Sequence, residues 1–405
     1  MTHTPHSLGG RIRYLRNWRQ LNLAQLAGLA GLSESYLSRA ERGERTLSRQ
    51  AITAIANALR VSATELIGQP VTWQDPALAD AQATIPAVRH ALVSNRLGAA
   101  TTAPTRPVIA LAADVDRLVR ARTRADFGAM GDALPALLTE LYAAVAATSG
   151  DERALAVRQL VRALNTAMTL ASAFGYADLA YMVSERSVQA AAELGSPAWD
   201  AIATFSQVHA LAGVADHEQA FRLAAAAVDQ TGAAVTADRD PNSVAAYGAL
   251  CMVSGLMAAG SGHAADAAAR IDEAAEVAER TGESGPDTAF FGPTNVRLYR
   301  MQGALEAGDA ERAVELADQV DPELIASQER RGQFYLTRGR VLAELGGRGE
   351  DAVGAFLAAE RVAPARLRSH VLAREVITGL LPAVRPDSGA GRELRGLLFR
   401  LGAAL

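Results

Sequence analysis

The stretch LSESYLSRAERGERTLS, Leu32 to Ser48, decides the first reading of this chain. Ser33 suits a helix N-cap, where a side-chain oxygen satisfies one of the amides that a helix start leaves unpaired. From there, steps of about 100 degrees per residue place Ser35, Ser38, Arg39 and Arg42 within one arc. Leu37 and Ala40 fall opposite, and Gly43 ends the helix. The result is a short amphipathic helix with an apolar back and a basic, hydroxyl-rich front.

The flanking residues predict four more short helices. Leu8 to Gln20 carries Leu8, Ile12 and Leu15 at helical spacing, with Arg11, Arg13, Arg16 and Arg19 around them. Asn22 caps a second helix, whose apolar stripe of Leu26, Ala27 and Ala30 stops at Gly31. Ser48 caps a fourth, with Ile52, Ile55 and Leu59 inward, and Ser62 with Glu65 forms a capping box for a fifth. Two helices about a tight Gly31 turn, the second basic on its outer face, are the parts of a helix-turn-helix. Residues 1–70 hold nine arginines against four glutamates, a net of +5, so the remainder of a chain of net charge -4 carries -9. An exposed arginine in the major groove can read guanine or neutralise phosphate, which accounts for the sign.

The run from Leu8 to Gly68, most specifically its core AGLSESYLSRAERG, closely resembles the Cro and lambda-repressor type helix-turn-helix, the XRE family. That resemblance implies that Glu34, Ser35 and Arg39 face base edges, with Ser38 on the same face. It puts Ser33, Arg42 and Arg45 near phosphates and pairs Glu41 with Arg16 as a structural contact. Two positions depart from the family pattern: Leu23 stands where a polar residue often opens the second helix, and Leu47 where a proline often precedes the fourth. The expected partner is a double-stranded DNA operator. One arginine fork on guanine supplies only about 1 to 3 kcal/mol of discrimination, so a homodimer on two half-sites is expected, held by the remaining residues.

Those residues are rich in alanine and leucine and poor in aromatics, at 5%, which favours packed helices over sheets. All 40 basic residues are arginine, a uniform substitution better explained by codon bias than by function. Residues 71–107 read as a helix interrupted near Pro86, followed by the flexible linker GAATTAPTRP, Gly98 to Pro107. Beyond it a glycine-containing turn before an alanine-rich helix recurs in FGYADLA (174–180), GVADHEQAF (213–221), EAGDAERAVELA (306–317) and LGGRGEDAVGAF (345–356). Intervals near 40 residues are what stacked helix pairs produce, although a generic helical bundle with coincidental alanine spacing is the alternative. Residues 108–405 resemble a degenerate tetratricopeptide array. TAFFGPTNVRLYRMQGALEAGD and ERVAPARLRSHVLAREVITGLL are similar to the sensor half of actinobacterial XRE regulators. The expected fold is all-α, a five-helix head followed by a helical-repeat solenoid.

In such stacking the first helix of each pair lines the concave surface. The phasing assigns Arg162, Asn165 and Thr169; Phe205 and His209; Met252 and Leu256; Asn295, Leu298 and Gln302; and Thr337 and Val341 to it. A mostly apolar wall with few polar points suits a small molecule or a short peptide. Asn165 and Asn295 are the preferred clamps, because an amide offers a donor and an acceptor together; Asn295 is equally read as the cap of the helix after Pro293.

The seven histidines are scattered, no metal-ligand spacing or phosphate-cradling glycine loop occurs, and the single Cys251 sits in the apolar run YGALCMVSGLM. Neither an enzyme, nor a metal, nor a cofactor is expected. No signal segment opens the chain and no uncharged apolar run is read as approaching a membrane span, so a cytoplasmic protein without a membrane partner is expected. Two functions fit: a DNA-binding regulator whose array senses an effector and dimerises, or a DNA-bound scaffold whose groove recruits a protein.

Overall fold

The structure, a computed structural model, describes residues 7–45, 47–67, 75–99, 106–214, 217–237 and 240–401. Every regular element among them is helical. The head is formed by α1 (Leu8–Trp18), α2 (Leu23–Leu29), α3 (Glu34–Glu41), α4 (Arg49–Leu59) and α5 (Ala63–Ile67). Its starts are set as the sequence predicts: the side chains of Asn22, Ser33 and Ser48 accept from the amides of Gln25, Tyr36 and Ala51. The side chain of Glu65, half of the expected capping box, lies outside the described residues.

Leu26, Leu37, Ile52, Ile55 and Leu59 close the head's core. A side chain on Gly9 would meet the carbonyl oxygen of Ala40 at 2.3 Å, so α1 crosses α3 in close backbone contact. Arg16 clamps the crossing, its Nε and Nη2 donating to the two carboxylate oxygens of Glu41 at 2.6 and 2.9 Å. Both departures from the family pattern are core leucines: Leu47 is buried and Leu23 packs at its edge.

The expected interruption near Pro86 separates α6 (Pro76–Ala83) from α7 (Ile85–Ser94), with Pro86 in the first turn where its missing N–H costs nothing. This segment is not a loose connection. Leu78, Ile85, Val88 and Leu92 are buried against the following helices and form the first layer of the array. Six helix pairs follow: α8 (Val108–Thr123) with α9 (Phe127–Ala147), α10 (Gly150–Ala173) with α11 (Ala177–Ala192), α12 (Pro197–Val214) with α13 (His217–Ala237), α14 (Pro241–Gly260) with α15 (Ala264–Thr281), α16 (Pro293–Glu306) with α17 (Ala310–Asp318), and α18 (Gln328–Glu344) with α19 (Gly349–Val362). Helices α20 (Pro364–Ser369), α21 (Val371–Gly379) and α22 (Gly389–Arg400) end the described chain.

The glycine turns at 174–180 and 306–317 place Gly175 and Gly308 in the left-handed region. Two further turns escaped the sequence pattern. The one between α8 and α9 uses Ala125 at φ 55° instead of glycine, and the one between α14 and α15 uses Gly262 at φ 82°. Helix α14 also corrects the membrane expectation, since its 20 uncharged residues are long and apolar enough to span a bilayer. Glycine, alanine and serine dilute that run, and 89% of its most apolar window is buried inside the fold, so its surroundings are other helices.

The array curls until its ends meet. The hydroxyl of Ser327, before α18, donates to the carbonyl of Thr123 at the end of α8 at 3.1 Å, and Arg368 of α20 pairs with Asp75 before α6 at 2.6 Å. Ala363 joins the core formed by α6 to α11. The solenoid is thereby clasped around its concave side.

Candidate DNA-reading face and array cavity

On α3, Glu34, Ser35 and Arg39 are exposed, Ser38 is half-buried, and Leu37 and Ala40 are buried, the division expected from their phase. Ser33 caps the helix and stays exposed. The N-terminus of α3 and this front are therefore open to a groove. Arg42 is exposed, but its guanidinium holds Glu44 through Nε and Nη2, both at 2.7 Å. The hydrogen bond to Arg42, ahead of its charge, lowers the Glu44 pKa. An exposed pair of this kind is weak and exchanges readily for a phosphate.

Arg45 differs from the expected phosphate contact in this arrangement. Its guanidinium stacks 4.7 Å from the Tyr36 ring, and its Nε is shielded from water without a hydrogen-bond partner. It lies near Glu344 at the end of α18; burial raises that carboxyl's pKa, while Arg340 and Arg45 pull it down. Arg45 thus belongs to the seam between head and array. That seam also carries Glu375 of α21, whose Oε1 accepts from the Leu8 amide at 2.6 Å and from Arg11 Nη2 at 3.1 Å. Burial raises the Glu375 pKa against the opposing effect of Arg11.

On its concave side the clasped array forms a half-open cavity of about 350 Å³. Its helical lining comes from α8, α10, α12, α14, α16, α18 and α20, the first helices of the pairs and the closing helix, as the repeat phasing requires. Asn165, Thr169, Phe205, His209, Asn295, Leu298 and Gln302 all reach it. Arg162, Leu256 and Thr337 do as well, whereas Val341 is buried in the core beside it.

Met252 is a correction. It does not line the cavity but is fully buried in the α12 to α16 core. Helix α14 is enclosed on every side, so phase alone does not separate its cavity-facing residues Ala249, Leu256 and Met257 from its core ones.

Of the two amide clamps, Asn165 keeps its donor: Oδ1 accepts from the Ser187 hydroxyl at 2.8 Å, and its Nδ2 has no hydrogen bond among the described residues. Asn295 does not cap α16, whose start falls at Gly292 without a side-chain cap. Instead its Nδ2 donates to the Ala289 carbonyl at 3.1 Å and its Oδ1 accepts from Arg330 Nη1 at 2.6 Å. His209 Nε2 is 3.0 Å from the Tyr299 hydroxyl, and its ring packs edge-on against Phe205.

Phasing by helix missed the loop between α15 and α16. Phe291 is fully buried against Gly248, where a side chain on that glycine would meet its ring at 2.1 Å. Anchored there, the loop holds Ala289 and Phe290 at φ 57° and 53°, a strained pair for non-glycine residues, and lines the cavity with Pro286, Asp287, Ala289 and Phe290. The phasing also missed Arg122, Arg330, Arg340 and Arg366, which line the same cavity. In a chain whose every basic residue is arginine, residue type gave no contrast. Cys251 lies outside the lining, and burial pushes its thiol up to about 12, so it is no thiolate at neutral pH.

A second cavity, of about 170 Å³, lies in the seam, walled by Ile52 and Thr53 of α4, Ala63 and Ile67 of α5, and residues of α10 to α12. Ser172, His209, Ala212, Arg366 and His370 border both cavities.

Residues 7–66 match the family model of a helix-turn-helix domain. No curated protein matches the chain in sequence. Among solved structures, PlcR of Bacillus thuringiensis in complex with the peptide PapR7 and DNA is 13% identical, covering 91% of this chain and 99% of its own, at a TM-score of 0.35. ComR from S. thermophilus in complex with DNA and its signalling peptide ComS is 16% identical, covering 90% and 99%, at a TM-score of 0.34. The apo form of ComR from Streptococcus vestibularis is 14% identical, covering 82% and 98%, at 0.31.

Proposed function

We propose that this chain is a sequence-specific DNA-binding transcription regulator whose array senses a small molecule or short peptide. In this reading α3 enters the major groove, Glu34, Ser35 and Arg39 read base edges, and Ser33 and Arg42 seat the helix on phosphates. The array dimerises the chain, since one head buys too little discrimination, and an effector that binds one array geometry better shifts the placement of the two heads.

The observation that carries the sensing role is a half-open cavity whose wall mixes an apolar body with convergent polar groups, among them Asn165, Asn295 and Gln302. A scaffold would instead present an open apolar groove. Native mass spectrometry of the protein purified from its own host tests the reading directly. A retained small molecule or peptide that changes operator affinity supports it; a stoichiometric protein partner on an empty cavity overturns it in favour of the scaffold. Sedimentation of the full chain on duplex DNA with one and with two half-sites tests the dimer.

A further inference from the structure

We propose that the cavity recognises its ligand through an oxyanion, a carboxylate or a phosphate carried on an apolar body, seated against Arg122 and Arg330. This rests on the reading of the array as a ligand sensor and names the chemistry of the ligand.

Of the three carboxylates in the wall, two are paired, and the third, Glu306, lies near Glu344 with one shielded oxygen that has no hydrogen-bond partner. Asp287 Oδ1 accepts from Arg162 Nε at 2.8 Å, and Glu329 pairs with Arg366 at 3.4 Å. Arg162 holds a second carboxylate, the half-exposed Asp116, on the outside. Neither Arg122 nor Arg330 is left with an ion pair among the described residues. Arg122 has one hydrogen bond, to the Pro286 carbonyl at 3.2 Å. Arg330 has the Asn295 amide oxygen and the face of Phe290, 5.3 Å away.

The arginines are also mutually repelling. Arg122 keeps some surface on the cavity while protein surrounds it, and its pKa falls to about 10 through burial, with the charges of Arg330 and Arg162 lowering it further and the nearby carboxylates of Asp287 and Glu329 opposing. It remains charged at neutral pH. Asp287 and Glu329 lie near but are committed to Arg162 and Arg366, and the arginines of this wall outnumber its carboxylates, so an anion entering the cavity offsets that excess. The planar guanidinium forks suit the paired oxygens of a carboxylate or phosphate.

The rest of the wall sets the body of the ligand. Trp199, Ile202, Phe205, Leu256 and Met257 give an aromatic and aliphatic surface with no charge. A hydrophilic anion such as a nucleotide sugar would waste that surface, whereas an aryl or alkyl acid, or a short apolar peptide ending in a free carboxylate, fills both halves.

The test is calorimetry on the full chain with matched pairs: 4-phenylbutyrate against 4-phenylbutyramide, and N-acetyl-leucyl-phenylalanine against its C-terminal amide, with phenyl phosphate as the phosphate arm. At least one anion is expected to bind roughly 10-fold or more tightly than its neutral counterpart, and the tightest of them identifies the source of the oxyanion. Arg122→Met should abolish that preference without lowering the Tm of the ligand-free chain, because an arginine kept for structure would lower it; Arg330→Gln serves as the second variant. Equal affinities for acid and amide, both weakened by Phe205→Ala, would overturn the oxyanion and leave the cavity a ligand site. No binding by any probe, with Phe205→Ala silent, would sink both readings together.

Discussion

Head and array use arginine in opposite ways. Arg39 on α3 and Arg42 just after it are exposed, Arg42 paired only with the exposed Glu44, and a charge so placed in water costs little. In the cavity wall Arg122 and Arg330 are partly buried, Arg330 over the Phe290 ring, without an ion pair of their own among the described residues, and burial lowers the Arg122 pKa. In the proposed reading, affinity for anions is stored in two places: in long-range field outside the molecule, and in desolvation inside it. The first is tuned by salt, the second by shape.

The largest expected effect concerns the wall. Phe291→Ala should cost the array about 3 to 5 kcal/mol, the range for emptying a buried aromatic site, and free the loop that carries Phe290. Chemical denaturation followed by far-UV circular dichroism measures it; a loss below about 1 kcal/mol would mean the loop is not anchored at Gly248. Next, Arg16→Ala or Glu41→Ala leaves one member of a well-shielded pair behind and should lower head stability by about 3 kcal/mol, read as loss of DNA binding at temperatures where the array still melts normally.

Arg39→Ala tests the open arginines. It should remove about 1 to 3 kcal/mol of discrimination between the selected operator and random duplex; equal weakening on both would show that Arg39 holds backbone only. Arg42→Ala should weaken all sequences alike and flatten the salt dependence by about one unit. An unchanged slope would leave Arg42 with Glu44 even on DNA.

The smallest effect lies at the seam. The docked Glu375 has a raised pKa, so docking favours its protonated form: head and array hold together best below the ordinary carboxylate range and loosen as pH rises through the raised value. Glu375→Gln should flatten that trend in a fluorescence-transfer titration between head and array, and a trend that persists would assign it to another group.

The head was legible because each of its decisions is local. A capping serine, a left-handed glycine and the phase of Leu37 lie within a dozen residues, and the Arg16–Glu41 clamp follows from one helix crossing another. The array was legible where helix phase meets a solvent-like side, as at Asn165, Phe205 and Leu298. Phase failed at Met252, whose helix has no such side, and at the α8 to α9 turn, where Ala125 does a glycine's work. Asn295 was placed correctly in the wall but for a different reason: it braces Arg330 rather than capping α16. The convergence of Arg122 and Arg330, over two hundred residues apart, is set by how the array curls, which no local pattern encodes.

The clasp between Ser327 and Thr123, and between Arg368 and Asp75, bears on how the array comes apart. An open stack of repeats is held by nearest neighbours only and frays from its ends. Joining the first layer to the last removes the free ends from that series, so that melting any one pair must also break the ring. Unfolding of this array is thereby tied into fewer, larger cooperative steps than its repeat-by-repeat construction implies, and hydrogen exchange in α6 and α20 should slow together.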